Sequence, residues 1–325
     1  MSARHSLLAV LVAVIWGVNF LAIDLGLRDT PPLVLVALRF AAVAVPLVLI
    51  VPRPAVPWRT ILAIGTFMSL GQFAFVFTAM HLGLPAGLAP VILQSQMIFT
   101  IAIAAIVLRE RPTRAQVVGA VVGLAGLVLV GAGRVDGEAG LASLVPLALC
   151  VAGALSWGIG NVVARSAPPT NGLGLVVWSA LVVPVPALAA SLVLDGPAVV
   201  GEAFATLGWP TLASVAFTAG AASLVGYSIW NMLLGRYPAA DVVPFTLLVP
   251  PVGVTAAWLV LHEVPNALEL AGSAVLVAGV AIPTLVQSAA RRRARRGGAA
   301  PVVGPDVRTP GVDTATERVG QRPGG

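Results

Sequence analysis

The sequence contains no lysine, a single cysteine and few charged residues of either sign. Only 10% of its 325 residues are charged, whereas soluble domains carry about 25%. All 19 strongly basic residues are arginines, so the high isoelectric point indicates membrane edges rather than nucleic-acid binding. Cys150 can form no disulfide within the chain, and its place inside an apolar run predicts a packing role. These shortages exclude a soluble domain and a disulfide-stabilised scaffold.

Motifs for catalysis and for nucleotide-driven transport are also missing. There is no GxxxxGK[ST] loop, which disfavours a pump driven by a nucleotide. The histidines His5, His81 and His262 fall at predicted membrane edges, and their spacing suggests no metal site. Acidic groups are scarce within the apolar runs, so a membrane-embedded enzyme is a remote alternative. We therefore expect neither a cofactor nor a bound metal ion.

Long apolar runs are what the sequence has in abundance. Hydrophobic residues make up 58% of the chain, and a bilayer core about 30 Å thick takes about 20 residues per helix. The first run lacks a small-residue cleavage site after a short core, so it predicts a retained helix rather than a signal peptide. We predict an all-α polytopic membrane protein whose ten transmembrane helices cover residues 6–27, 33–51, 60–80, 85–108, 114–132, 143–164, 173–194, 207–234, 239–261 and 267–287.

The distribution of arginines predicts the orientation of these spans. With ten spans, both chain ends lie on the same side of the membrane. That side receives 16 of the 19 arginines, whereas Arg28 and Arg134 fall on the opposite side and Arg39 lies within a span. Because arginine is enriched in cytoplasmic loops, we expect both termini to be cytoplasmic.

One stretch of the chain, residues 85–126, appears twice. Adding 153 to the residue number maps Glu110 onto Glu263, and the whole stretch aligns without a gap. Matches at glutamate, proline and glycine carry this repeat, because chance matches among apolar residues are common. The stretch also holds Gly119 and Gly123, whose spacing permits close helix contact. Such internal repeats decide the architecture of a chain.

A second match relates the starts of the two halves. Trp-Gly-Val-Asn at 16–19 resembles Trp-Gly-Ile-Gly-Asn at 157–161 with an offset of 141, and the longer connection at 195–206 accounts for the difference between the offsets. Each half therefore holds five helices. Because five is odd, the second half enters the membrane from the opposite face, as in many secondary transporters. We predict two inverted five-helix repeats, over 6–132 and 143–288.

The chain resembles a known family at several of these places. Both repeats look like EamA domains of the drug/metabolite transporter (DMT) superfamily, and among these the chain is most similar to exporters of O-acetylserine, cysteine and related amino-acid metabolites. The resemblance covers about residues 6–288. The closer match is carried by Trp-Gly-Val-Asn-Phe at 16–20, Pro-Pro-Leu at 31–33 with Arg-Phe at 39–40, Gln-Phe-Ala-Phe at 72–75, and Gly-Tyr-Ser-Ile-Trp at 226–230 with Leu-Gly-Arg-Tyr at 234–237.

The resemblance implies a function, with alternatives that stay open. It implies a secondary transporter that exports small amino-acid-like metabolites by alternating access. The nearest alternative is an exporter of another solute of the superfamily, such as an aromatic amino acid, a nucleobase or a drug. A pump for cationic drugs would favour an acidic residue in its cavity, whereas this chain offers Arg39.

Polar and aromatic residues inside the spans are candidates for contact with the solute, because a cavity tolerates polar groups and lipid-facing positions do not. Trp16 and Asn19 share one face of the first span. In the eighth span Tyr227, Trp230 and Asn231 occupy positions i, i+3 and i+4, which predicts one aromatic and polar stripe. We take all five as candidate solute-binding residues.

Amides in two further spans are weaker candidates. Trp157 and Asn161 share a face of the sixth span, and Asn161 is a candidate for solute contact. Gln94 and Gln96 lie about 200° apart on an ideal helix, so only one of them faces a cavity; we select Gln94. The alternative for each of these amides is a hydrogen bond to a neighbouring helix.

Arg39 is the only arginine well inside a predicted span. An arginine at mid-membrane costs about 2.5–3.5 kcal/mol on insertion scales, and Arg39 lies roughly 9 Å along the helix from Leu33. One interpretation is that its side chain snorkels to the outer interface. The other is that it binds a solute carboxylate or an acidic partner in the cavity, and we include it among the candidate site residues.

The repeated glutamates, Glu110 and Glu263, follow the fourth and ninth spans on opposite sides of the membrane. We expect a structural role for both, either in capping the next helix or in pairing with Arg109 or Arg111. A proton-coupled exporter needs a carboxylate that is accessible from each side in turn. The sequence offers no such group at depth, so proton coupling stays a hypothesis.

The last part of the chain, residues 289–325, differs in composition from the rest. A run of arginines begins at Arg291 and ends at Arg296, and it predicts contact with anionic lipid headgroups. Residues 297–325 are rich in Gly, Pro and Thr without apolar periodicity, which predicts disorder. The expected partners are a small-molecule solute and the lipid bilayer, with no nucleic acid. The protein is expected to be a monomer or a homodimer.

Overall fold

The computed structural model describes residues 1–136, 140–168 and 172–296, and every regular element in these ranges is helical. Met1–Ser288 form one compact unit. The predicted disordered stretch 297–325 lies outside the described residues, as do the side chains of the arginine run. In chain order the helices are α1 (Ala3–Leu27), α2 (Pro32–Leu47), α3 (Trp58–His81), α4 (Ala89–Val107), α5 (Arg114–Val135), α6 (Gly140–Ser166), α7 (Gly172–Leu194), α8 (Pro197–Ala205), α9 (Trp209–Arg236), α10 (Val243–Leu261) and α11 (Ala267–Arg296).

The number and type of the spans are as predicted. Within the described ranges, nine helices are long and apolar enough to cross a membrane, and α2 is a shorter apolar helix. α2 ends at Leu47, before the predicted boundary at residue 51, because the amides of Ile50 and Val51 both turn back to the Leu47 carbonyl. Pro52 then prevents continuation. The all-α polytopic fold with ten spans is confirmed.

The connection at 195–206 contains a helix that the sequence did not lead us to expect. Gly196 has φ 88°, a left-handed conformation that redirects the chain, and Pro197 then starts α8. Val200 and Ala203 on one side of α8 pack against Val34 of α2. With only nine residues, α8 covers this part of α2 without crossing the bilayer.

The hairpin between α4 and α5 has the same backbone geometry as the hairpin between α10 and α11. Arg109, just after α4, has φ 54°, and His262, just after α10, has φ 57°. In each hairpin the next amide, of Glu110 or Glu263, donates to the carbonyl six residues earlier, at 3.4 Å and 3.3 Å. This is a Schellman arrangement with an ordinary residue in the left-handed position. The sequence repeat is therefore also a repeat of local structure.

The helices that follow these hairpins begin with matching capping boxes. At the start of α5, Gln116 N donates to Thr113 Oγ1 and Thr113 N donates to Gln116 Oε1. At the start of α11, Asn266 and Glu269 exchange the same two bonds at 2.8 Å and 2.9 Å. Each box satisfies amides that lack a partner within the helix.

Two of the spans contain π-helical segments at corresponding places. α3 is π-helical over Gly65–Gly71, and α9 is π-helical over Ala216–Val225. Each segment ends where an amide, of Gln72 or Gly226, bonds to the carbonyls three and five residues earlier. A π-helical turn is wider than an α-helical one and occurs often at functional sites. The two π-helical segments are therefore candidate positions for a functional site.

α5 and α11 pack through glycines that face each other. A Cβ on Gly119 would lie 2.5 Å from the carbonyl oxygen of Gly279, and a Cβ on Gly272 would lie 2.7 Å from the carbonyl oxygen of Gly126. The offset of 153 turns Gly119 into Gly272 and Gly279 into Gly126, so the second contact is the equivalent of the first with the two helices exchanged. Such reciprocity is what a pseudo-two-fold axis between the two helices produces.

We predict that Gly279→Ala destabilises the protein whereas Gly201→Ala does not. At Gly279 the added methyl group overlaps the backbone of α5, which corresponds to overpacking that costs about 1–3 kcal/mol. Gly201 lies on the exposed side of α8 with nothing within 4 Å, so alanine there gains about 1 kcal/mol of helix propensity. Thermal unfolding of both variants in detergent micelles measures the effect. Shifts of the same sign would contradict close packing of α5 and α11.

Candidate solute-binding site

Three predicted aromatic residues come together between α1 and α9. The ring of Trp16 lies 5.3 Å from that of Tyr227 and 5.3 Å from that of Trp230, measured between centroids. The indole N–H of Trp16 donates to the Ala222 carbonyl at 3.0 Å, within the π-helical segment of α9. Because Tyr227 and Trp230 are one turn apart, α9 presents both rings to α1. Spacing within each helix predicted the face that carries each ring, but not that the two faces meet.

Asn231 is not part of this aromatic cluster. A Cβ on Gly172 would lie 3.5 Å from Asn231 Oδ1, so the amide faces the start of α7. Its Nδ2 is buried and has no hydrogen-bond partner among the described residues. The predicted stripe on α9 is therefore divided between two neighbouring helices.

Arg39 is buried between the two π-helical segments. Its side chain is 3% exposed, so the interpretation that it snorkels to the membrane surface is wrong. The guanidinium carbon lies 4.0 Å from the centroid of the Phe73 ring, directly after the π-helical segment of α3. Nη2 donates to Ser223 Oγ at 3.4 Å, inside the π-helical segment of α9. Nε and Nη1 are buried without a partner among the described residues.

Asn19 is the second candidate with an unpartnered polar atom at depth. Its side chain is 6% exposed, and Oδ1 has no hydrogen-bond partner in the described part of the chain. Asn19 lies about 12 Å from the α1 end at Leu27, and Arg39 lies about 10 Å from the α2 start at Pro32. Since both helix ends meet the same face of the bundle, the two side chains lie at similar depth.

These groups have a recognisable binding chemistry. Free N–H groups of Arg39 suit a carboxylate, because charged hydrogen bonds to guanidinium are strong and directional. The amide oxygen of Asn19 can accept a hydrogen bond from an ammonium group, and aromatic faces also attract cations. In the conformation described here both side chains are shielded, so a solute reaches them only when the surrounding helices separate.

Asn161 and Gln96 belong to a different polar cluster, between α6 and α4. Asn161 Nδ2 donates to Gln96 Oε1 at 2.7 Å and to Thr100 Oγ1 at 3.3 Å. This is the hydrogen bond between helices that we considered as the alternative to solute binding. Gln94 is buried at the break in α4, between its segments Ala89–Leu93 and Gln96–Val107.

A shift of one residue explains why Asn161 is paired and Asn19 is not. The offset of 141 matches Gly17 with Gly158, and these glycines pack against α10 and α4, respectively. The same offset places Asn19 at Gly160 rather than at Asn161. One residue rotates a side chain by about 100° around a helix, so the two asparagines face different neighbours.

The described contacts add two residues that the sequence did not single out. Phe73 and Ser223 hold the Arg39 guanidinium, and both come from helices other than α2. Phe73 lies in one of the stretches that carry the family resemblance. That resemblance indicates that the stretch matters, but it does not indicate that Phe73 contacts Arg39. Periodicity places a side chain on a face of its own helix and does not identify the residues it meets.

The roles expected for the two repeated glutamates were wrong. Glu110 pairs with Arg165 of α6, at 2.9 Å, rather than with Arg109 or Arg111. Neither glutamate caps the helix that follows it, because the capping boxes of α5 and α11 do so. Glu263 instead accepts hydrogen bonds from two backbone amides of the other half. The cause is the left-handed residue before each glutamate, which turns its side chain away from the next helix.

Comparison with solved structures supports the fold. A solved structure described as a crystal structure of a protein superposes with a TM-score of 0.58 at 20% sequence identity. The superposition covers 88% of this chain and 97% of that one. At this identity the likeness shows the fold alone.

Curated relatives and a family comparison agree with the resemblance seen in the sequence. The "Probable amino-acid metabolite efflux pump" of Salmonella typhimurium is 39% identical over 286 residues, which cover 87% of this chain and 95% of the relative. The protein of the same description from Escherichia coli is 39% identical over 287 residues, with 87% and 95% covered. The "Probable terminal-alkyne amino-acid exporter" of Streptantibioticus cattleyicolor is 30% identical, with 83% and 90% covered.

The family assignment follows from the length and position of the matches. The EamA-like transporter family matches residues 4–132 and again residues 144–285. The resemblance to EamA domains is thereby confirmed, and the chain is a multi-pass membrane transporter rather than an enzyme. This chain belongs to the EamA-like transporter family.

Proposed function

We propose that the chain exports small amino-acid-like metabolites, of the O-acetylserine and cysteine type, across the bacterial inner membrane by alternating access. The two five-helix halves, 6–132 and 143–288, provide the moving parts, and both termini are cytoplasmic. The observation that carries this proposal is the buried Arg39 with two unpartnered nitrogen atoms. A charge at this depth is costly unless it is paired, and a solute carboxylate would supply the partner.

The names of the relatives support the same class of solute. Two are described as efflux pumps for amino-acid metabolites and one as an amino-acid exporter. Such solutes carry a carboxylate and, in most cases, an ammonium group. Arg39 and Asn19 offer a donor and an acceptor for these two groups at similar depth.

A second candidate solute is favoured by the aromatic cluster. The ring centroids of Tyr227 and Trp230 each lie 5.3 Å from that of Trp16. Such rings can stack on an aromatic solute. Export of an aromatic amino acid would use the same carboxylate partner, whereas export of a cationic drug would place a positive charge beside Arg39.

The remaining partners are part of the same proposal. The arginine run at 291–296 would contact anionic lipid, and residues 289–325 would form a cytoplasmic tail. The protein would act as a monomer or a homodimer.

We expect the chain to raise efflux of carboxylated amino-acid metabolites from loaded vesicles or cells. The panel contains O-acetylserine, cysteine, an aromatic amino acid and a cationic drug. Tyr227→Ala removes one ring of the aromatic cluster and should reduce efflux of the transported solute by about tenfold, the scale of one lost aromatic contact. If expression raised efflux of no amino acid in the panel, the proposed function would be wrong.

We expect Arg39→Lys to impair export more than Arg28→Lys does. Both changes keep the charge, but lysine lacks the planar fork that binds a carboxylate through two bonds. Loss of one charged hydrogen bond corresponds to about tenfold or more in transport of a carboxylated solute. Arg28 is 57% exposed in a pair with Asp24, so its replacement serves as a matched control. Normal export of the solute by Arg39→Lys would rule out the role as a carboxylate clamp.

A further inference from the structure

Glu263 joins the two halves of the chain through backbone amides. Its two carboxylate oxygens accept from the amides of Ala86 and Gly87, each at 2.9 Å. These amides precede α4 and lack partners within that helix. A carboxylate at such a position is favoured by the positive end of the helix dipole. We call this contact the Glu263 clasp.

The equivalent glutamate in the other half has a different partner among the described residues. Adding 153 to the residue numbers gives the Glu110 clasp, in which Glu110 would bind the amides of Ala239 and Ala240. The two hairpins have the same geometry, so they present both glutamates to the opposite half alike. In this structure the Glu110 carboxylate is paired with Arg165. One clasp is formed, and the carboxylate of the other is held elsewhere.

The residues around the Glu263 clasp are also more deeply buried than the equivalent residues near Glu110. Ala86 is 1% exposed, whereas Ala239 is an exposed residue. All five residues of Ala89–Leu93, at the start of α4, are buried. The offset of 153 maps this segment onto residues 242–246, where Val242 is buried but the residues after it are only partly buried. The start of α4, beside the Glu263 clasp, is therefore more deeply buried than the start of α10, beside the Glu110 clasp.

The competing arginine is specific to Glu110. The offset of 141 that relates α6 to α1 places Asp24 at the position equivalent to Arg165. Asp24 is paired with Arg28 at 3.1 Å. Because an aspartate repels a carboxylate, it cannot draw Glu263 away from its amides as Arg165 draws Glu110.

We propose that Glu263 and Glu110 are alternating locks of the transport cycle, with one clasp formed in each end state. The inference rests on the proposed alternating-access function and adds the residues that hold each state. Opening the Glu263 clasp separates the start of α4 from α10. Release of Glu110 by Arg165 lets that carboxylate bind the amides at the start of Ala239–Val242. Each state makes one carboxylate-to-amide clasp, which keeps the two states close in energy.

The locks are tested by the reactivity of two equivalent cysteines in the purified full-length protein. The buried Cys150 is replaced in a Cys150→Ala background, and a maleimide reports on either Ala86→Cys or Ala239→Cys. With both glutamates intact, Ala239→Cys should react at least about tenfold faster than Ala86→Cys, as expected for a population weighted to one state. Equal rates would contradict the difference in burial between the Ala86 and Ala239 positions.

The glutamate variants then assign the locks. Glu263→Gln leaves one acceptor and places an amide donor against a backbone N–H, so Ala86→Cys should react about tenfold faster and Ala239→Cys more slowly. Glu110→Gln is the matched control and should leave Ala86→Cys unreactive. If Glu263→Gln left the Ala86→Cys rate unchanged, or if Glu110→Gln raised it equally, the proposal would be overturned.

Arg165→Gln provides a test that does not depend on folding of Glu263→Gln. Release of Glu110 should lower the reactivity of Ala239→Cys several-fold, about as much as loss of one ion pair allows. An unchanged rate would count against the locks. Efflux measured on the same proteins separates the two hypotheses. If the reactivity shifts but no panel solute is exported, the alternating locks are supported and the proposed function is wrong. If a solute is exported but the reactivity does not shift, the proposed function is supported and the locks are wrong.

Discussion

Inside a bilayer every backbone amide and carbonyl needs a partner within the protein, and the rest of this structure depends on that constraint. Regular helices satisfy it by themselves, but the π-helical segments and the start of α4 do not. Several of their partners are side chains of the other half of the chain. Trp16 donates to the Ala222 carbonyl, Ser156 donates to the Phe67 carbonyl, and Glu263 accepts two amides before α4. Irregular backbone therefore joins the two halves where a transporter has to move.

The buried arginine lies where these irregular segments meet. Arg39 stacks on Phe73, which follows the π-helical segment of α3, and donates to Ser223 in that of α9. A carboxylate bound to its free nitrogen atoms, as proposed above, would share the guanidinium with both contacts. Under the proposed function, occupation of the candidate site would act on a side chain that contacts both α3 and α9, which is what coupling between binding and helix movement requires.

Much of the site was visible in the sequence as separate faces of single helices. Spacing placed Tyr227 and Trp230 on one face of α9, and the structure brings that face to Trp16. For Asn161 the structure shows a hydrogen bond to Gln96 of a neighbouring helix, a partner that spacing along α6 does not identify. Spacing also gave no indication of α8, which is too short and too mixed in composition to produce a clear pattern.

The sequence by itself determined the ten spans, because hydropathy and length are local properties matched to a bilayer of fixed thickness. It also determined the matching hairpins, since left-handed ends and capping boxes depend on neighbouring residues. Only the tertiary structure decided that Arg39 is buried, that Glu263 binds Ala86 and Gly87, and that the start of α4 is more deeply buried than the start of α10. These features join residues of different helices, and equivalent positions in the two halves meet different surroundings. No local pattern in the chain records which of the two equivalent helix starts is the more deeply buried.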